Sequence, residues 1–269
     1  MTLRVVPYEE PEDPYFNMAV EEAIPRARGC GVVPDTLRIW RNMNAIIIGY
    51  FQRAEEEVNL DVAASIGAAV VRRFTGGGAV YHDLGNLNYA LSLASTGKRV
   101  SLDLVFKELT KGPVDALRSL GFSADVQNVN DIIVSGRKVS GTAATISWGA
   151  TFFHGAMLIS TDLGRLASVL RVSPRKLIDK GVSSVKYRVT NLNDIRPVSP
   201  DEVVAALAES FTRLTGHERY QVGLLTPEEL EIAQALYNEK YSKREWNYER
   251  APHRAFARAE EEVRRVCRR

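Results

Sequence analysis

The sequence contains little cysteine and little histidine. Its two cysteines, Cys30 and Cys267, lie far apart in the chain and indicate a reducing compartment. None of the four histidines has the i, i+4 spacing that is typical of zinc ligands on a helix. We therefore expect neither a disulfide framework nor a metal site.

The sequence also lacks an excess of charge and a long apolar run. Its 35 basic and 33 acidic residues nearly balance, so no nucleic-acid or membrane partner is indicated. No apolar run approaches the roughly 20 residues of a membrane-spanning helix. The N-terminus, MTLRVVPYEEPEDPYF, has no apolar core preceded by positive charge, unlike a signal peptide. A cytoplasmic protein is expected.

Hydrophobic periodicity predicts mixed strands and helices. Strands are expected at 36–40, 45–51, 68–75, 87–94, 130–134, 137–141 and 152–160, and helices at 17–29, 101–121, 163–170 and 199–216. The first two strands flank a turn-forming RNMN segment and are expected to be neighbours. In the first helix, Met18 and Ile24 lie on one side and Glu21 and Glu22 on another. The fold class is α+β, with a large, mostly antiparallel sheet that carries the glycine loop and Lys138 and is flanked by helices.

Three consecutive glycines, Gly76 to Gly78, follow a predicted strand in RRFTGGGAVYHD. Such glycines permit positive φ and let backbone N–H groups approach an anion. The spacing matches neither a Walker A loop nor a dinucleotide-binding fingerprint, and a flexible hairpin turn is the alternative. Adjacent strand residues point to opposite sides, so one of Arg72 and Arg73 is expected to clamp a phosphate or carboxylate at the loop.

Two further segments contain candidate site residues. Lys138 lies on the second strand of a predicted hairpin, beside small residues that would let a ligand lie against the backbone. A solvated strand face is the alternative there. His154 interrupts an apolar strand, where a buried histidine bonded to a backbone carbonyl is the alternative. His82 and Asp83 are adjacent, which favours hydrogen bonding that fixes the loop over a catalytic dyad.

In this order the segments resemble the lipoate–protein ligase A family, within the biotin/lipoate protein ligase superfamily. The resemblance runs from about residue 15 to residue 250 and implies a catalytic domain at 1–250, followed by a helical tail at 251–269. The segments that carry it are RRFTGGGAVYHDLGNLNY (72–89), NDIIVSGRKVSGTAA (130–144), FFHGAMLISTDL (152–163), GVSSVKYRVTNL (181–192) and KREWNY (243–248).

The resemblance implies a two-step reaction. Lipoate and ATP, with Mg²⁺, would form lipoyl-AMP and pyrophosphate in one bent pocket. The lipoyl group would then pass to a lysine of a lipoyl-domain protein, such as a 2-oxoacid dehydrogenase acyltransferase subunit or the glycine-cleavage H protein. No tightly bound prosthetic group is implied. Lys138 would be the catalytic residue, between the lipoyl carbonyl oxygen and the phosphate.

The resemblance also implies a set of lipoate- and nucleotide-binding residues. Arg72 would lie on the phosphate side, and Asn130 and Asp131 near the adenosine. The full set is Arg72, Gly76, Gly77, Gly78, His82, Asn86, Asn130, Asp131, Lys138, Thr142 and His154. Trp40 and Tyr81 are candidates for the wall of an apolar tunnel, with core packing as their alternative.

The tail bears on the activation step. Many single-chain bacterial members of the family have a further small C-terminal domain that takes part in activation. Here the tail is expected to be one helix, with an apolar stripe at Phe256, Ala259, Val263 and Val266. The resemblance therefore implies a separately encoded small subunit, with the stripe either docking it or packing on its own domain.

Three rival functions remain at this stage. An octanoyltransferase of the same superfamily would need a cysteine nucleophile, but SWGATFFHG has Thr151 at that place, and no cysteine lies between residues 31 and 266. A biotin ligase would show a different arginine–glycine motif. A non-catalytic lipoate or adenylate carrier is disfavoured by Lys138 and the complete glycine loop. Lipoate and octanoate are not distinguished.

Overall fold

The computed structural model describes residues 1–95, 100–171 and 189–268. Eleven strands are found in these residues. They are β1 (Thr2–Val6), β2 (Thr36–Trp40), β3 (Asn44–Ile48), β4 (Ala69–Arg72), β5 (Val80–Asp83), β6 (Asn86–Ala94), β7 (Ala124–Gln127), β8 (Asp131–Val134), β9 (Arg137–Ser147), β10 (Ala150–Leu158) and β11 (Arg219–Val222).

Ten α-helices are found in the same ranges. They are α1 (Pro14–Gly29), α2 (Ala54–Glu57), α3 (Leu60–Ser65), α4 (Leu102–Leu109), α5 (Lys111–Ser119), α6 (Leu163–Val169), α7 (Pro200–Leu214), α8 (Pro227–Leu236), α9 (Arg244–Asn247) and α10 (Ala257–Cys267). Side-chain caps begin several of them, as at Ser199, whose hydroxyl accepts from the backbone N–H of Glu202. Within the described ranges, no helix combines the length and the apolar character needed to cross a membrane.

The strands form two sheets. The large sheet has the order β11-β1-β2-β6-β10-β9-β8-β7, and the small sheet has the order β4-β3-β5. In the large sheet, β1 pairs in parallel with β11 and β2, and every other neighbouring pair is antiparallel. The predicted α+β class with a large, mostly antiparallel sheet is confirmed.

The division into two sheets corrects two sequence-based predictions. Strands β2 and β3 are not neighbours, since β2 pairs with β1 and β6 while β3 pairs with β4 and β5. The connecting RNMN segment crosses between the sheets, with Asn42 fully buried and bonded to Asn17 and His82. As a result, the glycine loop joins β4 to β5 of the small sheet, whereas Lys138 lies on β9 of the large sheet.

Alternation along the central strands creates a buried polar surface between the two sheets. On β6, Leu87, Tyr89 and Leu91 pack with helices α4, α5 and α7 on one side of the large sheet. Asn86 and Asn88 point to the opposite side, yet both are buried. Buried polar side chains require hydrogen-bond partners, and a ligand between the two sheets can supply them.

The predicted helix at 101–121 is interrupted. It begins as expected at Ser101, whose hydroxyl accepts from Leu104 N, but α4 ends at Leu109 and α5 starts at Lys111. The break precedes Pro113, which lacks an N–H and whose ring would clash with the carbonyl of Leu109 in a continuous helix.

Helix α1 is buried on both sides, so the prediction of a separate polar side was wrong. Glu21 is 1% exposed and Glu22 is 0% exposed. Glu22 accepts hydrogen bonds from Arg26, Lys240 and the hydroxyl of Tyr241. Burial alone raises the pKa of Glu22, but Lys240 and Arg26 outweigh burial and lower it to about 2. These ion pairs join α1 to the C-terminal region.

The C-terminal segment 251–268 folds back on the rest of the described chain. The predicted apolar stripe is buried against α1 and α8, so this face packs within the chain and is not left for a partner. Its members are Phe256, Ala259, Val263 and Val266.

This packing also brings Cys267 to Cys30 at the end of α1. The two form a disulfide with a Cα–Cα distance of 5.5 Å across 237 residues of sequence. The expectation of separate cysteines was therefore wrong, because helix packing and not sequence spacing brings them together.

Candidate active site

Two cavities meet at Lys138, between the sheets. The Trp40 cavity is lined by Met18, Glu21, Trp40, Ile47, Arg73, Gly77, Gly78, Ala79, Val80, His82, Asn88, Asn130, Lys138, Gly141, Thr142, Ala143, His154, Gly155 and Ala156. The Asn86 cavity is lined by Ala79, Val80, Tyr81, Asn86, Lys138, Ser140, Gly141, Ala156, Leu158, Leu166, Leu170 and Val189. Because Lys138 belongs to both walls, a ligand that fills both cavities would pass next to its ammonium group.

A hairpin and a bulge place Lys138. The β8–β9 hairpin closes through Ser135 and Gly136, with φ of 51° and 74°, which is the two-residue turn predicted from the sequence. Register shifts so that Ile132 opposes Ser140 while Ile133 opposes Lys138. Such a bulge re-aims the side chains beside it.

Gly141 provides the space in which the lysine lies. A Cβ atom at Gly141 would be 2.6 Å from Lys138 Nζ and 2.9 Å from Lys138 Cε. The Lys138 ammonium also forms an ion pair with Asp131, at 2.5 Å from Oδ1. The lysine is thus a positioned cation at the junction of the cavities and not a lysine on a solvated strand face.

The adjacent arginines point in opposite directions. Arg72 is fully buried outside both cavities, and its guanidinium donates to backbone carbonyls of the 49–52 loop and of helix α9. In turn, the indole Nε1–H of Trp246 in α9 donates a hydrogen bond to the backbone carbonyl of Arg72 at 2.8 Å. Arg72 and the KREWNY segment therefore form a structural clamp, which corrects the placement of Arg72 on the phosphate side.

Arg73 is the arginine at the glycine loop. It donates to the carbonyls of Gly76 and Gly78 at 2.6 and 2.8 Å, and further bonds reach Thr75 Oγ1 and the Ile47 carbonyl. All of these acceptors are neutral. Burial lowers the pKa of Arg73 to about 10, so it remains a cation at neutral pH. Among the described residues, the hydrogen-bond acceptors of this buried cation are neutral oxygens, an arrangement that suits an anionic ligand.

The three glycines have different constraints. Gly77 has a φ of +92°, and a Cβ there would lie 2.8 Å from Arg73 Nη2, so the backbone itself requires glycine. At Gly78, a Cβ would meet nothing within 4 Å, and this residue lines the Trp40 cavity. Gly76 lies outside both cavities, where a Cβ would only touch the ring of Phe51.

His154 is held in one tautomer. Its Nδ1 lies 3.1 Å from Glu21 Oε1, and its Nε2 lies 2.8 Å from Thr75 Oγ1. The other oxygen of Glu21 accepts from Arg38 at 3.2 Å. Burial is the main cause that lowers the pKa of His154, despite the opposing effect of Glu21. A neutral imidazole then carries its proton on Nδ1 and donates it to Glu21.

His82 leaves a donor available in the Trp40 cavity. The side-chain amides of Asn42 and Asn88 approach its Nδ1 at 3.2 and 3.4 Å, so Nδ1 accepts and Nε2 carries the proton. Burial lowers the pKa of His82 to about 3. Among the described residues, His82 Nε2, Trp40 Nε1 and Asn86 Oδ1 are buried without a hydrogen-bond partner. Buried polar atoms of this kind are available to the polar groups of a ligand.

Asn130 and Thr142 are bonded to each other at the edge of the Trp40 cavity. The backbone carbonyl of Asn130 accepts from both Thr142 N and Thr142 Oγ1, and Asn130 Nδ2 donates to the Thr142 carbonyl at 2.9 Å. These bonds tie the β7–β8 turn to the β9 strand that carries Lys138.

The comparison with protein families agrees with this architecture. The model of the lipoyl protein ligase A/B catalytic domain matches residues 13–212. The chain belongs to this family. The lipoate-protein ligase A subunit 1 of Thermoplasma acidophilum is 39% identical over 254 residues, which is 91% of this chain and 95% of the relative.

Solved structures of ligases are similar over almost the whole chain. A bi-partite lipoate protein ligase from Thermoplasma acidophilum, studied with its E2 lipoyl domain, has a TM-score of 0.84 and 36% identity, covering 94% of this chain and 98% of that one. A lipoate-protein ligase A bound with ATP also has a TM-score of 0.84, with 35% identity, covering 93% of this chain and 100% of that one. The predicted family and its enzyme class, a lipoate–protein ligase, are confirmed.

In this lipoyl protein ligase family member, most of the predicted site residues converge. Those lining a cavity are Gly77, Gly78, His82, Asn86, Asn130, Lys138, Thr142 and His154. Asp131 contacts the site through Lys138, whereas Arg72 and Gly76 lie outside the cavities. Residues 181–188 of the GVSSVKYRVTNL segment lie outside the described ranges.

Sequence reasoning missed several residues of the site. Glu21 and Asn88 line the Trp40 cavity, and Arg38 bonds to Glu21. The available signal was polar residues within otherwise apolar segments, NMAVEEAI and LNYALSLA. Trp40 lines its cavity as proposed, whereas Tyr81 lies in the Asn86 cavity.

Proposed function

We propose that this chain catalyses ATP-dependent lipoylation in two steps. The lipoate carboxylate attacks the α-phosphorus of ATP, the bond to pyrophosphate breaks, and lipoyl-AMP forms. A lysine ε-amine of a lipoyl-domain protein then attacks the acyl carbon, and AMP leaves with the bonding electrons. The observation that carries the proposal is the position of Lys138 where two cavities meet.

The two cavities suit the two halves of the adenylate. The Trp40 cavity has apolar walls at Met18, Trp40, Ile47 and Ala143, which favour the lipoyl chain and its dithiolane ring. The Asn86 cavity offers an unsatisfied carbonyl oxygen, Asn86 Oδ1, to an adenine amino group. The acyl-phosphate junction would then lie next to Lys138.

Charge at that junction is the main obstacle to the first step, because a carboxylate must approach a phosphate. Lys138 is a compact cation that can contact the lipoyl carbonyl oxygen and the phosphate together. Arg73 adds a second positive charge, while it holds the glycine loop through the carbonyls of Gly76 and Gly78. In the second step the same cations stabilise the oxyanion and the leaving AMP.

We further propose that activation needs a separate small subunit. Support comes from the relative named subunit 1, of which this chain covers 95%, and from the structure named bi-partite. A second protein could close over the nucleotide and exclude water. Because the α10 stripe is already buried, docking is expected elsewhere on the chain.

The acceptor and the location follow from the same reaction. The bi-partite relative was studied with its E2 lipoyl domain, which supports a lipoyl-domain acceptor of the 2-oxoacid dehydrogenase type. An H protein of glycine cleavage is the second acceptor that the family resemblance implies. Use of ATP with Mg²⁺ supports a cytoplasmic location.

An octanoyltransferase remains disfavoured. Its cysteine nucleophile is missing from the walls of both cavities, and both cysteines of the chain are in the disulfide. Thr151, at the corresponding place, is buried.

Separate assays of the two half-reactions test the proposal. The purified chain should transfer the lipoyl group from preformed lipoyl-AMP to an apo lipoyl domain. ATP–pyrophosphate exchange with lipoate should be weak with the chain alone and should increase when the small subunit is added. Failure of the transfer step would overturn the ligase assignment, and full exchange by the chain alone would overturn the two-subunit proposal.

A further inference from the structure

A continuous chain of hydrogen bonds passes through the wall of the Trp40 cavity. Arg38 donates to Glu21 at 3.2 Å, Glu21 pairs with His154 at 3.1 Å, His154 contacts Thr75 at 2.8 Å, and Arg73 donates to Thr75 at 3.1 Å. The chain thus links β2 and α1 to the arginine that holds the glycine loop. All five residues are buried or nearly so.

The direction of every proton in this chain is determined. Glu21, as a carboxylate, can only accept, so the neutral His154 ring donates its Nδ1–H to Glu21 and its Nε2 accepts. Arg73 Nε can only donate, so Thr75 Oγ1 accepts from Arg73 and donates its single O–H to His154 Nε2. Among the described residues, Thr75 is the side chain that hydrogen-bonds to both Arg73 and His154.

Thr75 differs from its two partners in one respect. Arg73 and His154 both line the Trp40 cavity, whereas Thr75 is 1% exposed and lines neither cavity. Its hydroxyl therefore acts on a ligand through the two residues that it holds.

We propose that Thr75 is a positioning residue of the acyl-adenylate site, whose hydroxyl fixes the orientation of Arg73 and the tautomer of His154. This inference rests on the proposed function. Without the hydroxyl, Arg73 loses one of its anchors beside the glycine loop, and His154 Nε2 faces a methyl group. A buried acceptor without a donor is costly, so the imidazole would change its tautomer or its position.

The test compares Thr75→Val, which has nearly the same shape but no hydroxyl, with Thr75→Ser, which keeps the hydroxyl. Thr212→Val is the matched control, because Thr212 is also buried and its hydroxyl donates to the Ala208 carbonyl within helix α7, outside both cavities. Affinity is measured by calorimetry with a non-hydrolysable lipoyl-adenylate analogue, and rate by single-turnover transfer from lipoyl-AMP.

Thr75→Val should weaken analogue affinity and slow transfer by about tenfold or more, as expected for loss of a hydrogen bond to a charged group. Thr75→Ser should remain within about threefold of the wild type, and Thr212→Val should change neither value. Thr75→Ala serves as the second hydroxyl-free variant if Thr75→Val is poorly folded. Normal affinity in folded hydroxyl-free variants, or a serine variant as impaired as the valine variant, would overturn the proposal.

NMR titration of His154 provides a readout that a merely structural role would not change. The titratable and charged groups that act on His154 are Glu21 on α1, Arg73 after β4 and His82 on β5. The Thr75 hydroxyl donates to the neutral form of the His154 imidazole and therefore stabilises that form. Removal of the hydroxyl should raise the midpoint pH of the His154 titration or shift the ring proton away from Nδ1. An unchanged titration would contradict the proposal. If the wild type binds the analogue but transfers nothing, the proposed function fails while these two measurements still test Thr75.

Discussion

The substitution Gly141→Ala displaces the Lys138 ammonium, the proposed catalytic cation, without removing it. The new Cβ would lie 2.6 Å from Lys138 Nζ, and ordinary contacts begin near 3.4 Å, so the ammonium must move by roughly 1 Å. The atom that moves is the end of a flexible side chain, and Gly141 does not have positive φ. Folding should therefore be preserved, and the melting temperature should be nearly unchanged.

The expected consequence is kinetic. A displacement of this size at a reacting centre can reduce the rate by about 10²-fold, and we expect a loss of that order in single-turnover transfer from lipoyl-AMP. The control is the same substitution in a Lys138→Met background. There Gly141→Ala should add little, because its effect depends on the lysine. A wild-type transfer rate, or an equal loss in the Lys138→Met background, would refute the reasoning.

Four other outcomes are expected. Lys138→Arg should reduce transfer about as strongly as Lys138→Ala, by about 10²-fold or more, because a planar guanidinium cannot replace a point charge; normal activity would contradict this. Gly77→Val should lower both stability and lipoyl-AMP affinity, whereas Gly78→Val should lower affinity alone, as calorimetry and thermal melts can show. Cys267→Ser should reduce the free energy of unfolding by about 2–5 kcal/mol in urea titrations, and a reductant should remove the difference. Lowering the pH from 7 to 5 should reduce the free energy of unfolding by about 2 kcal/mol through His82. The pKa of His82 is about 3 in the folded state, so the unfolded state binds the proton at a higher pH than the folded state does. A His82→Gln variant should lack this loss.

The sequence by itself determined the local structure and the order of the site segments. The Ser135–Gly136 turn, the cap at Ser199 and the glycine at position 77 follow from sterics and hydrogen bonds among near neighbours, which a short window of sequence contains. The position of Lys138 on the second hairpin strand is likewise determined by the local sequence. The family resemblance added the chemistry, because it depends on which residue types occur in which order.

Only the tertiary structure decided which side chains meet. Arg72 and Arg73 are equivalent by sequence, but the burial of Arg72 against helix α9 depends on packing across 174 residues. Arg73 then points to the other side, where it bonds to the nearby glycine loop. Glu21 was expected on a polar helix side, yet His154, 133 residues away, is its partner. The joining of Cys30 and Cys267 has the same origin. Such contacts are set by how sheets and helices cover one another, and this arrangement has no signature in local periodicity.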